Sequence, residues 1–165
     1  MKVLIAAGGT GGHVNPALAV AGEIRSRFPD AEICFVGTAD RIEAKIVPAA
    51  GYELKTIEIT GFKRGFAPSE IKANIKTVIK LAKSSKAVKN ILNEFKPDVA
   101  IGFGGYVSGP VIRMAAKMGI PTAIHEQNAY PGVTNKALAE MVDVVMLTTE
   151  DAKKHQGIIS NPNCS

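Results

Sequence analysis

The sequence predicts an α/β fold built on a doubly wound parallel sheet. Short β-branched runs alternate with longer helical patterns along the chain, and two of those runs end in glycine-rich turns that lead directly into helices. At 165 residues, with 46% apolar and 21% charged residues, the chain suits one compact domain with one continuous core.

Val3–Ala7, Ile33–Val36, Leu54–Ile57, Val99–Gly102, Thr122–His125 and Val144–Leu147 read as strands, being short, apolar and bounded by turn residues. Pro16–Phe28, Arg41–Ala50, Ser69–Phe95, Pro110–Met118 and Thr134–Met141 read as helices. Asn15-Pro16 and Gly109-Pro110 each place a capping residue before a proline, so two helices are expected to start there, and Gly51 and Gly119 are expected to close two of the helices. The expected strand order is 3-2-1-4-5, with the first and fourth strands flanking the crevice where such sheets bind ligands. Residues 1–160 make the expected domain, and residues 161–165, within the linker-like Ser160–Ser165, the start of a connection to a further domain.

The apolar start, Met1 to Ala7, is stopped by Gly8-Gly9 before it reaches signal-peptide length, and reads as a buried strand. The uncharged run Val99–Ile112 is broken by glycines and Pro110, so it does not supply the roughly 20 apolar residues that cross a bilayer. Two cysteines, Cys34 and Cys164, are too few for a disulfide framework and fit a reducing, cytosolic compartment.

Gly8-Gly9-Thr10-Gly11-Gly12-His13 follows the first strand, and Gly104-Gly105-Tyr106-Val107-Ser108-Gly109 the fourth. Backbone N–H groups and a helix dipole at each would face an anion. A tight turn explains one or two glycines but not four in six, and two such loops at one crevice suit a diphosphate. A dinucleotide fingerprint fails because Val14 stands where its third glycine belongs and Gly37 where the second strand wants an acid; no P-loop lysine motif is present. His125-Glu126-Gln127-Asn128 crowds the end of the fifth strand with polar side chains suited to sugar hydroxyls, Asn128 above all.

These segments, with Gly104 to Pro110 and Thr134-Asn135-Lys136, resemble the signatures of the MurG glycosyltransferases from Lys2 to about Asn161. The resemblance implies the N-terminal, Rossmann-like domain of a GT-B enzyme. Such an enzyme moves N-acetylglucosamine from UDP-GlcNAc to lipid I, the undecaprenyl diphosphate-linked muramoyl pentapeptide, to give lipid II in peptidoglycan synthesis. It implies substrate contacts at Gly9, Thr10, Gly11, Gly12, Gly104, Gly105, Tyr106, Ser108, Gln127, Asn128 and Asn135. Of these, Thr10, Gly11, Gly12 and Asn128 would also reach the donor. Asn161-Pro162 departs from the family in having Asn163-Cys164 where an arginine of the donor site is expected, and the donor-binding C-terminal domain is absent. The chain by itself is therefore expected to be inactive. A second reading, a non-catalytic membrane-docking and acceptor-binding subunit with a separate donor-binding partner, stays open.

An inverting transfer needs a base for the acceptor hydroxyl. His13 is the first candidate, with phosphate ligand or helix cap as its alternatives, and Glu126 the second, with sugar-hydroxyl binding as its alternative. The scattered histidines give no metal site, and no cofactor is expected.

The basic excess is local. Lys63 to Lys96 carries nine Lys or Arg against Glu70 and Glu94, leaving the rest of the chain at −2 from a total of +5. Lys72, Lys76, Lys80, Lys83, Lys86 and Lys89 recur at helical spacing beside Ile71, Ile75, Val78, Ile79 and Leu81. An anionic membrane on the cytoplasmic face is the expected partner, a solvated helix face the plainer reading, and no aromatic interleaving points to nucleic acid. Replacing Lys72, Lys76, Lys80 and Lys83 with glutamine should abolish most salt-sensitive binding to anionic vesicles, at about 1 kcal/mol per charge near the surface. Co-sedimentation checks this, and equal binding by both proteins would leave the lysines a solvated face.

Overall fold

The structure, a computed structural model, describes residues 1–59, 84–154 and 163. Its strands are β1 (Lys2–Ala6), β2 (Glu32–Gly37), β3 (Glu53–Thr56), β4 (Val99–Gly102), β5 (Thr122–Glu126) and β6 (Val144–Leu147). The helices are α1 (Gly11–Arg27), α2 (Glu43–Ala49), α3, described over residues 84–95, α4 (Gly105–Lys117) and α5 (Val133–Leu138), followed by a 3-10 turn at Glu150–Lys154. The strands form one sheet in the order β3-β2-β1-β4-β5-β6, every neighbouring pair parallel. This is the predicted doubly wound fold, extended by β6 at one edge.

Alternation along β1 sorts its side chains between two cores, because successive residues of a strand face opposite sides. Val3, Ile5 and Ala7 join Val14, Ala17 and Ala21 of α1 and Val47 of α2 on one face. Leu4 and Ala6 join Val88, Leu92 and Phe95 of α3, Val107, Val111, Ile112 and Ala115 of α4, and Leu138 of α5 on the other. Both faces are covered, so every central strand reads as continuously apolar. Cys34, fully buried between β1 and β3, belongs to the second core, and burial pushes its thiol up to about 12.

The largest departure from the expected elements is at two helix starts. The helix α1 begins at Gly11 and α4 at Gly105, five residues before the prolines taken to open them. Pro16 and Pro110 lie inside these helices, where each removes one intrahelical bond, to the carbonyls of Gly12 and Tyr106. The glycine loops therefore turn into helix sooner, and their later residues form the first helical turns.

In α3, Ser84, Val88, Leu92 and Phe95 are buried while Lys86 and Lys89 are exposed. The apolar stripe of this part thus packs on the sheet. Lys72, Lys76, Lys80 and Lys83 lie outside the described residues, as does most of residues 155–165. None of the helices in the described residues is long and apolar enough to cross a membrane.

Gly22 sits mid-way along α1 with an ordinary backbone and no atom within 4 Å of where a Cβ would stand. Gly22→Ala should therefore stabilise the domain by roughly 0.5–1 kcal/mol, by lowering the entropy of the unfolded chain. Urea unfolding checks this; a lower midpoint would show that α1 needs the glycine.

Candidate functional site

The carboxyl ends of β1, β2, β4 and β5 surround a cleft of about 460 Å³. Gly8 to Thr10, His13, Gly104 to Val107, Glu126, Asn128 and Asn135 border it, joined by Thr38, Asp40 and Arg41 from the loop after β2. The crevice between β1 and β4 is thus where the strand order placed it.

The two glycine loops touch. Gly105 has φ +76, in the left-handed region that glycine occupies without strain, and a Cβ there would lie 2.5 Å from the carbonyl oxygen of Gly8. The missing side chain makes room for backbone, where the sequence suggested room for phosphate alone. His13 stands against the same junction: its Nδ1 lies 3.2 Å from the Gly8 oxygen and 3.1 Å from Thr10 Oγ1, and its ring packs beside Gly104. A carbonyl only accepts, so a hydrogen bond to Gly8 requires the tautomer that carries its proton on Nδ1, while the Thr10 hydroxyl can pair with either.

Neither α1 nor α4 has a side-chain cap. The first N–H groups of a helix lack intrahelical partners, and those of Gly11, Gly12, Gly105 and Tyr106 have no partner among the described residues. Two helix dipoles and four amide donors meet near one cleft, an arrangement suited to phosphate groups. Tyr106 stands 65% exposed at the mouth.

Glu126, offered as a second base, is 1% exposed and engaged on both oxygens. Oε1 accepts from the N–H and the Nδ2 of Asn128, and Oε2 from the N–H of Gly132 and the Nδ2 of Asn135, each at 2.9 Å. Four donors fill the carboxylate's acceptor sites, so it organises the β5–α5 loop and has no lone pair free for a proton. Asn135 is 98% buried, and its Oδ1 has no hydrogen-bond partner among the described residues although the residue borders the cleft. That atom offers an acceptor to a ligand hydroxyl.

Two of the expected contact residues do not border the cleft. Ser108 is fully buried, with Oγ 2.8 Å from the carbonyls of both Ala6 and Gly104; it ties α4 to β1 and cannot reach the cleft. Gln127 is not among the cleft residues. Neighbouring His125 bonds Thr148 through Nε2 at 3.1 Å, and burial lowers its pKa. Sequence reasoning passed over Thr38, Arg41 and Glu43, whose only signal was their position after the end of β2.

Residues 3–147 match the family model described as the glycosyltransferase family 28 N-terminal domain. The chain belongs to this family. It is 53% identical over 155 residues to the UDP-N-acetylglucosamine–N-acetylmuramyl-(pentapeptide) pyrophosphoryl-undecaprenol N-acetylglucosamine transferase of Thermoanaerobacter sp. (strain X514). It is 49% identical over 155 residues to the transferase of the same name from Bacillus subtilis (strain 168). Each alignment covers 94% of this chain and 42% of the relative, so the chain spans well under half of their length. The crystal structure of Acinetobacter baumannii MurG superposes with a TM-score of 0.77 at 32% identity, over 91% of this chain and 42% of that one. A UDP-GlcNAc 2-epimerase from Neisseria meningitidis, bound to UDP-GlcNAc, shares the fold at a TM-score of 0.66 and 17% identity, over 97% of this chain and 43% of the epimerase.

Gly105→Ala should destabilise this family 28 domain by about 1–2 kcal/mol from the left-handed backbone alone, and further through the Gly8 contact. Denaturant unfolding measures it, and an unchanged midpoint would mean the two loops can part without cost.

Proposed function

We propose that this chain is the acceptor-binding part of an inverting glycosyltransferase that moves N-acetylglucosamine from UDP-GlcNAc to the muramoyl sugar of lipid I, yielding lipid II. The observation that carries the reading is the meeting of two uncapped, glycine-opened helix N-termini with His13 at one cleft, in a chain 53% identical to an enzyme named for that transfer. Residues 1–160 supply the acceptor side, and a donor-binding domain completes the enzyme.

In this reading the amides of Gly105 and Tyr106, with Gly11 and Gly12, hold the acceptor's diphosphate, and Tyr106 covers the mouth. Asn128 and the free Oδ1 of Asn135 bind sugar hydroxyls, while Thr10 and Asn128 also meet the donor. His13 takes the proton from the acceptor hydroxyl at Nε2 as that oxygen attacks the anomeric carbon and the C–O bond to UDP breaks. The bond from Nδ1 to Gly8 holds the ring in the tautomer a base requires and supports the positive charge that forms. Glu126 keeps Asn128 and Asn135 in place. The domain works at the cytoplasmic face of the membrane, drawn there by the basic segment around residues 63–96.

The test is His13→Ala in the enzyme completed by its donor-binding domain. Turnover should fall by about 10²–10⁴-fold with donor affinity nearly unchanged, because a base acts mainly in the transition state. Normal turnover with a raised acceptor KM would make His13 a phosphate ligand instead.

A further inference from the structure

We infer that Glu43 is a positioning residue of the cleft, clamping the first glycine loop to the end of β2 so that the α1 N-terminus presents its amides to an anionic ligand. The role rests on the diphosphate reading of the cleft given above.

Glu43 opens α2 and is fully buried, although an ionised carboxylate is costly to bury unless its oxygens are engaged. They are engaged by the loops of two adjacent strands. Oε2 accepts from the Gly9 N–H at 3.0 Å, and Oε1 accepts from the Thr38 N–H at 3.0 Å and from its hydroxyl at 2.8 Å. One side chain thus bridges the loop after β1 to the loop after β2, and both Gly9 and Thr38 border the cleft.

Two glycines exist to admit it. A Cβ on Gly8 would lie 2.5 Å from Glu43 Oε1, and one on Gly37 would lie 2.6 Å from its Cγ. Gly37, which stands where a dinucleotide site carries its acid, is therefore the socket of an acid that arrives from α2 and turns inward.

The clamp also decides which amides serve the ligand. Gly9 has φ +89 and spends its N–H on Glu43, so this amide is withdrawn from the cleft. With Gly9 fixed, Thr10 takes the extended backbone that caps α1, at φ −141 and ψ 157, and the free amides of Gly11 and Gly12 follow. A carboxylate that does not itself line the cleft thereby sets the direction of the α1 dipole at its open end.

The test uses the chain itself, ¹⁵N-labelled, with inorganic pyrophosphate as the probe. Glu43→Gln replaces one acceptor oxygen with a donor, so either Gly9 or Thr38 loses its partner. The amide signals of Gly9 and Thr38 should move, those of β4 and β5 should stay, and the pyrophosphate Kd should rise about tenfold, the scale of one lost hydrogen bond to a charged group. Thr38→Val, which removes a single donor to Glu43, should shift the same signals and weaken binding about threefold, and it carries the test if Glu43→Gln does not fold. A Kd within twofold of wild type, in a variant whose Gly9 signal has moved, would reduce Glu43 to a structural residue and overturn the inference. A wild-type chain that gives no response to pyrophosphate would overturn the diphosphate reading itself, and the inference with it.

Discussion

A backbone carbonyl at the end of a central parallel strand has no further strand to serve, and what it bonds instead fixes the geometry beyond the sheet edge. Two residues beyond β1 that atom is the oxygen of Gly8. It accepts from His13 Nδ1 and lies so close to Gly105 that no side chain fits between the two loops. The placing of the His13 ring and the contact between the loops that open α1 and α4 both follow from this one oxygen. It holds its position because β1 is the best-buried strand, with Val3 to Ala7 at 1% exposure or less.

Two buried carboxylates hold the sides of the cleft in the same manner. Glu43 gathers donors from Gly9 and Thr38, and Glu126 gathers them from Asn128, Gly132 and Asn135. Each would be strongly destabilising if unpartnered, so each commits its surrounding loops to one arrangement. The cleft is framed by loops, yet the loops are fixed by carboxyl groups buried away from solvent.

The sheet was legible because its physics is local: β-branched runs bounded by turn residues gave all six strands to within two residues, and the doubly wound pattern gave the order of the first five, leaving the edge position of β6 unplaced. The starts of α1 and α4 were not. Asn15-Pro16 and Gly109-Pro110 have the chemistry of helix openings, but the glycines before them already reach helical backbone, a tertiary outcome of the Gly8 and Gly105 contact. His13 and Asn128 were singled out by their place after strands, and Thr10 and Asn135 by the family resemblance; all four border the cleft. The inward turn of Ser108 and the clamp made by Glu43 were hidden, since a serine in a glycine motif and a glutamate at a helix start look like surface residues until packing shows where they point. The lysines at 72, 76, 80 and 83 fall outside the described residues, so their reading still rests on spacing and charge.

Cys34 gives the fold a built-in clock. Its thiol sits at the middle of β2, hydrogen-bonded sheet on either side, with a pKa of about 12 that leaves almost no thiolate at neutral pH. Alkylating reagents attack the thiolate, so Cys34 reacts only in molecules whose sheet has parted around β2. The rate of labelling at Cys34, separated from that at Cys164, therefore reports how often the central sheet opens, with no change to the chain.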